Sequence, residues 1–346
     1  DYLDTDSDNE GDNDTTEAGY TLSGVYGSNG LDANFETADD YADVNGILDD
    51  PTILPDADAD LNFGGDVNFR DNSVSIPFSF VSGASASDMQ TVIDGPGVTI
   101  VSTNILDGEP TQFGAFEGAI QGVGLEMDKG IVLTTGTVNE TFSTNNNAGS
   151  TQNYGTSTND VNLAAISNNT TNDPAIYEIE VTLDNEATVL SIDYQFASEE
   201  YNEYVCSNFN DVFGYFVKLE NEDDEDATNI ALVPGTSNTV SINNINNGSV
   251  GSNGNINNCG DLGQSSYFTD NSSNSVTVEY DGITKIITAT AKNLTPGATY
   301  TIKFAIADAV DGAYDSAIFI NLISGFADND NDGIYDDVDV DDDNDG

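Results

Sequence analysis

The stretch TYTIKFAI, residues 299–306, places Tyr300, Ile302, Phe304 and Ile306 at every second position, the period that puts alternate side chains on one face of a β-strand. The same alternation recurs in SVSIPFSF with Val74, Ile76, Phe78 and Phe80, in YEIEVTL with Tyr177, Ile179, Val181 and Leu183, and in VLSIDYQF with Leu190, Ile192, Tyr194 and Phe196. Short runs of this kind, divided by Gly, Asn and Asp, form the pattern of two packed antiparallel sheets. ASDMQTVIDG from Ala86 and NDVNLAAIS from Asn159 read as short helices at the edge. The expected fold is all-β, a jelly-roll-like β-sandwich over residues 72–326, with acidic calcium-binding loop segments on either side at 1–71 and 327–346.

Composition explains why cations enter the reading. Against 62 acidic residues stand 6 basic ones and no histidine, a formal charge of −56 in 346 residues. Nucleic acid is excluded as a partner, and self-repulsion of this size opposes compaction. Yet 37% hydrophobic content with 15 Tyr and 16 Phe belongs to a globular chain. No apolar run is long enough to span a membrane. Diffuse salt around a halophile's solvating surface would neutralise evenly spread acid. Here the aspartates are spaced as ligands, which favours bound ions.

An EF-hand-like loop takes oxygens from positions 1, 3, 5, 7, 9 and 12 with glycine at 6. Counted from Asp328, the C-terminal segment supplies Asp330, Asp332, Gly333, the Ile334 carbonyl, Asp336 and Asp339. Counted from Asp6, the N-terminal segment supplies Asp8, Glu10, Gly11, the Asp12 carbonyl, Asp14 and Glu17. Asp341, Asp343 and Asp345 begin a further loop, and Asp1 and Asp4 stand three apart like the end of one, so the chain reads as a link within a longer protein. Asp56, Asp58 and Asp60 alternate in a degenerate relative of the pattern, with Leu61 where the glycine should be. All-oxygen cages of up to eight ligands favour calcium over magnesium. Without flanking amphipathic helices, these segments resemble thrombospondin type 3 repeats, in which successive loops wind around a row of calcium ions.

Cys206 and Cys259 are the two cysteines and permit one pairing. In loop sequence rich in Asn, Gly and Ser they fit an extracellular crosslink better than two buried thiols.

Several stretches together are similar to the choice-of-anchor L domain: KGIVLTTG from Lys129, FASEEYNEYVCSNFNDVFGYFV from Phe196, NIALVPGT from Asn229, VSINNIN from Val240, and the long run from Tyr280 to Gly325. That resemblance implies a secreted or surface-anchored bacterial protein without established enzymatic activity. With the flanking loops, it implies a large adhesin of the kind exported by type IX secretion in Bacteroidota, acting at the cell surface in adhesion, biofilm formation or gliding. Expected partners are calcium, neighbouring repeats of the same polypeptide, and surface glycans or other cells.

The lack of histidine removes Ser-His-Asp and Cys-His nucleophile systems and histidine metal sites. Glu199 and Glu200 are a tempting glycosidase pair, but neighbours on a strand face opposite ways, whereas two carboxyls must converge across a sugar. No enzyme is expected. Glu199, Glu200, Asn210, Asp211, Asp308, Asp311 and Asp315 nonetheless crowd the stretches that carry the resemblance. Such acids beside apolar strands must be solvated, hydrogen-bonded or cation-bound. A structural calcium at one sandwich edge and carboxylates organising turns weigh about equally. Sugar binding, with Tyr201, Tyr204 or Tyr314 stacking on a ring, is the third reading and fits the alternative of a carbohydrate-binding module. The polar loops 143–159 and 243–259 are solvated connections or ligand contacts. DTT at 14–16 and DSA at 315–317 resemble a short O-glycosylation motif of Bacteroidota.

Overall fold

The computed structural model describes residues 77–167, 169–328 and 336. Strands β1 (Ser79–Ser82), β2 (Val98–Asp107), β3 (Phe113–Glu117), β4 (Gly130–Thr134), β5 (Thr171–Leu183), β6 (Val189–Ser198) and β7 (Val212–Leu219) come first. They are followed by β8 (Thr228–Asn229), β9 (Phe268–Asp270), β10 (Gly282–Thr284), β11 (Ile287–Ala291), β12 (Thr299–Ala309) and β13 (Ser316–Phe326). One sheet runs β1-β3-β4-β13-β6-β10-β9 with β11 also paired to β6; the other runs β2-β5-β12-β7-β8. Every strand pair is antiparallel. The expected all-β sandwich is therefore the observed fold.

Alternation is the physical reason for it. Tyr177, Ile179, Val181 and Leu183 of β5, Leu190, Ile192, Tyr194 and Phe196 of β6, Phe213, Tyr215 and Val217 of β7, and Tyr300, Ile302, Phe304 and Ile306 of β12 all enter one buried cluster. Removing that apolar surface from water is the main driving force for stacking the sheets. Of the pattern that begins at Val74, Val74 and Ile76 lie outside the described residues, and Phe78 and Phe80 pack on Phe142 at ring-centroid distances of 5.2 and 4.9 Å. With Phe116 and Phe319 these rings form a second cluster on the other face of the larger sheet.

The reading of one inward face fails for β12. Its opposite face is covered by the helix Val161–Ile166 and the turn at Asp224. Lys303, on that face, is buried and donates to Asp160 at 2.6 Å and Asp224 at 3.3 Å. A central strand needs cover on both sides, and a lysine there is tolerable only with its charge paired.

The helix Ala86–Ile93 follows a capping box, with Ser85 Oγ accepting from the Asp88 amide and Asp88 accepting from the Ser85 amide. It buries Met89 and Ile93. Gly97, at φ +73°, lets the backbone turn hard against Gly325 of β13, where any Cβ would strike the Gly325 carbonyl.

Cys206 and Cys259 are disulfide-bonded, closing a separation of 53 residues. The bridge clamps the turn after β6 to the loop 243–259, whose Asn243 side chain accepts from the Cys206 amide and whose Asn255 amide donates to the Cys206 carbonyl. In the chain-entropy account such a loop contributes about 3 to 4 kcal/mol. The double variant Cys206→Ser/Cys259→Ser should therefore lose about that much stability in denaturant unfolding, with the β-sheet circular dichroism of the folded state retained.

Candidate functional site

At one end of the sandwich, the strands that fill the core continue in register into acidic residues. On β12 the inward positions Ile302, Phe304 and Ile306 are followed by Asp308; on β7, Phe213 and Tyr215 are preceded by Asp211; beyond β6, Phe196 and Ser198 are followed by Glu200. The pairing of β12 with β5 shifts register between Ile306 and Asp308, where β5 carries an extra residue around Asp173 at φ +43°. Asp173, Glu199, Glu200, Asp211, Glu279, Asp281, Asp308 and Asp315 are all buried here.

Asp211 joins the two sheets. One oxygen accepts from the Ala309 amide of β12 at 2.9 Å, and the other from Ser316 Oγ of β13 at 2.6 Å. Asp173 accepts the Tyr154 and Thr156 amides at 3.0 Å each, and Asp315 accepts the Gln152 amide at 2.8 Å. The loop 143–159 thus spends its backbone donors on the acidic end, and Asn145 and Ser143 reach Asp281 and Glu279. Gly136 is required beside Asp315, whose carboxyl fills the space any Cβ would need.

Other carboxylates here lack such partners. Both oxygens of Asp308, both of Glu199, Oε2 of Glu200 and Oδ1 of Asp315 are enclosed without a well-formed hydrogen bond, although Thr135 and Asp211 lie beside Asp308 and the Ser150 backbone beside Glu199. No lysine reaches them: Lys218, Lys285, Lys292 and Lys303 pair with Asp224, Glu126, Asp328 and Asp160 respectively, and Lys129 is exposed. Burial, reinforced by the like charges, therefore disfavours ionisation. Asp211 and Asp315 are pushed up to about 7, and Glu199 to about 9 by burial first and then by Asp281, Glu279 and Asp315. Glu200 and Asp308 move in the same direction for the same reason.

The structure amends the expectations for this region in four places. Glu199 and Glu200 do not sit on a strand with opposed faces; β6 ends at Ser198, and both follow in a turn that buries them together. Tyr201 is wholly buried and donates to the Ile245 carbonyl at 2.7 Å, so it offers no stacking face, whereas Tyr204 and Tyr314 stay partly open with rings 5.0 Å apart. Asp315, Ser316 and Ala317 lie inside the sandwich, which closes the DSA motif to any sugar transferase. Asp311 is exposed, and Asn210 accepts from the Asn243 amide. Asp173, Glu279 and Asp281 joined the cluster without any signal in the sequence beyond their charge. Among the described residues, no three acidic or cysteine side chains stand together at the spacing of a metal cage.

Of the terminal loop ligands, Asp328 and Asp336 are described. Asp328 is buried, its amide donating to Thr188 Oγ1 at 3.0 Å and its Oδ2 3.5 Å from Lys292 Nζ. The Asp336 amide donates to the Ala327 carbonyl at 3.1 Å. Asp1, Asp4, Asp6, Asp8, Glu10, Asp12, Asp14, Glu17, Asp56, Asp58, Asp60, Asp330, Asp332, Ile334, Asp339, Asp341, Asp343 and Asp345 lie outside the described residues.

The fold and its site define a β-sandwich domain with an apolar core and one acidic end, and the chain's family can be stated. The choice-of-anchor L domain model matches residues 89–326, and the chain belongs to that family. No curated protein matches significantly. Two solved structures overlap loosely. TmCBM61 in complex with beta-1,4-galactotriose has 6% identity and a TM-score of 0.21, covering 66% of this chain and 86% of its own. The K2 cleaved adhesin domain of Lys-gingipain has 11% identity and a TM-score of 0.27, covering 71% and 96%. Among the described residues, no helix is long and apolar enough to cross a membrane.

Acids whose folded values lie above their unfolded ones bind protons on folding, so ionising them costs stability. In metal-free buffer the melting temperature should fall as pH rises from about 5 to 9, each proton taken up contributing up to about 1.4 kcal/mol per pH unit. A scanning-calorimetry series that stays level or climbs across that range would contradict the assignment.

Proposed function

We propose that the chain is a non-catalytic, calcium-stabilised extracellular module of a large bacterial surface adhesin or fibre. Membership of the choice-of-anchor L family over residues 89–326 is the observation that carries this reading. Two physical features support it. The disulfide between Cys206 and Cys259 suits an oxidising compartment outside the cytosol. Among the described residues, the carboxylates Asp211 and Asp308 are fully buried, and so have no access to a polymeric substrate.

In this reading, calcium in the thrombospondin-like loops from Asp6 and Asp328 neutralises repelling aspartates and holds successive domains at fixed spacing. Export by a type IX route in a member of the Bacteroidota is part of the same proposal. In equilibrium dialysis the full chain should take up several calcium ions, with Asp8→Asn and Asp332→Asn each removing one. An unchanged count in both variants would defeat the loop assignment.

A carbohydrate-binding module is the second reading, favoured by a crevice lined with Asn169, Asn208, Asn210 and Asn258, side-chain amides of the kind that pair with sugar hydroxyls. A glycan array decides between the two, since a structural link should leave it blank and a binding module should mark a defined saccharide class.

A further inference from the structure

The interior of the acidic end poses a problem of charge that the terminal loops do not address. Asp308 is fully enclosed, with Thr135 and Asp211 beside it but no well-formed hydrogen bond to either oxygen, and Glu200, 1% exposed, has no partner for Oε2. Asp211 faces both and is itself fully enclosed. The described lysines either engage acids elsewhere or, like Lys129, stand in solvent. An ionised, unpaired carboxylate is among the most costly groups a fold can bury, so acids enclosed together are neutralised either by protons, as in metal-free buffer, or by a bound cation.

We propose that this end of the sandwich holds a calcium ion between Asp308 and Glu200, with Asp211 beside it as the residue that fixes both sheets around the ion. Two carboxylates suffice for such a site, because calcium accepts backbone carbonyls and water for the rest of its six to eight oxygens. The backbone around the two carboxylates is irregular: Glu200 lies in the turn after β6, and Val310 and Tyr314, between β12 and β13, carry positive φ at 80° and 65°. Calcium suits the place better than magnesium, which demands near-ideal octahedral geometry and gives up its water reluctantly. The ion would link β6 to β12, one strand from each sheet, where Asp211 already links β12 to β13.

The inference is independent of the terminal loops, and the test separates them. The full chain is compared with Asp308→Asn and with a loop variant, Asp8→Asn/Asp332→Asn, using calcium as the probe. Asp308→Asn should bind one calcium fewer than the parent, and in EDTA at pH 9 its melting temperature should exceed the parent's, because the parent must there either hold a proton on Asp308 or ionise it among other acids. The loop variant should keep a calcium-dependent rise of about 5 to 10 °C in the unfolding of the sandwich at a hundredfold excess over Kd. Glu200→Gln supplies the same count if Asp308→Asn does not fold. If the count is unchanged on replacing Asp308 or Glu200, or the loop variant unfolds at one temperature with and without calcium, the carboxyls are held by protons and the interior ion is refuted. Calcium uptake by the terminal loops would survive that result.

Discussion

The structure depends on how a fold with −56 formal charges closes its core at the end where acid meets apolar packing. Asp211 is the joint. Its two oxygens are taken by a backbone amide of β12 and a hydroxyl of β13, so one enclosed carboxylate ties the two sheets together. A hydrogen bond to a charged group in a low-dielectric interior is strong, and leaving the charge without partners there is correspondingly costly. The neighbouring Asp308 and Glu199 lack partners as well placed, and the described lysines all lie elsewhere.

The opposite situation appears on the outer face of β12. Lys303 is as buried as the acids but stands between Asp160 and Asp224, with Asp160 also capping the helix Val161–Ile166 through the Asn162 and Leu163 amides. There the fold supplies each charge with its counterpart. The contrast shows that the chain can pair buried charge when a lysine is to hand, and that the acidic end is built around a different source of neutrality.

The loops 143–159 and 243–259 also take on a structural role through this end. Their small polar residues leave backbone amides free to approach closely, and those amides go to Asp173, Asp315 and the Cys206 turn. Positive φ at Asp173, Cys206, Val310 and Tyr314 falls in the same region, and such conformations cost of order 1 to 3 kcal/mol each. Surrounding packing must hold them, and the disulfide, the amide contacts and Asp211 all do so.

Alternation in TYTIKFAI, YEIEVTL and VLSIDYQF was sufficient to establish the strands and which of their faces is inward, because side-chain direction in a strand is a local property with period two. Cysteine count left one pairing, and Ser85 and Asp88 announced a helix start through neighbours three residues apart. Burial of Lys303 was not legible, since it depends on a helix and a turn from elsewhere in the chain covering the second face of β12. Nor was the company kept by Asp173, Glu279 and Asp281, which a bulge and two loops bring to one end. Asp308 and Asp211 lie between: their parity with Ile306 and Phe213 is written in the sequence, but whether an inward acid at a strand end meets water or other acids is decided only when the two sheets close over it.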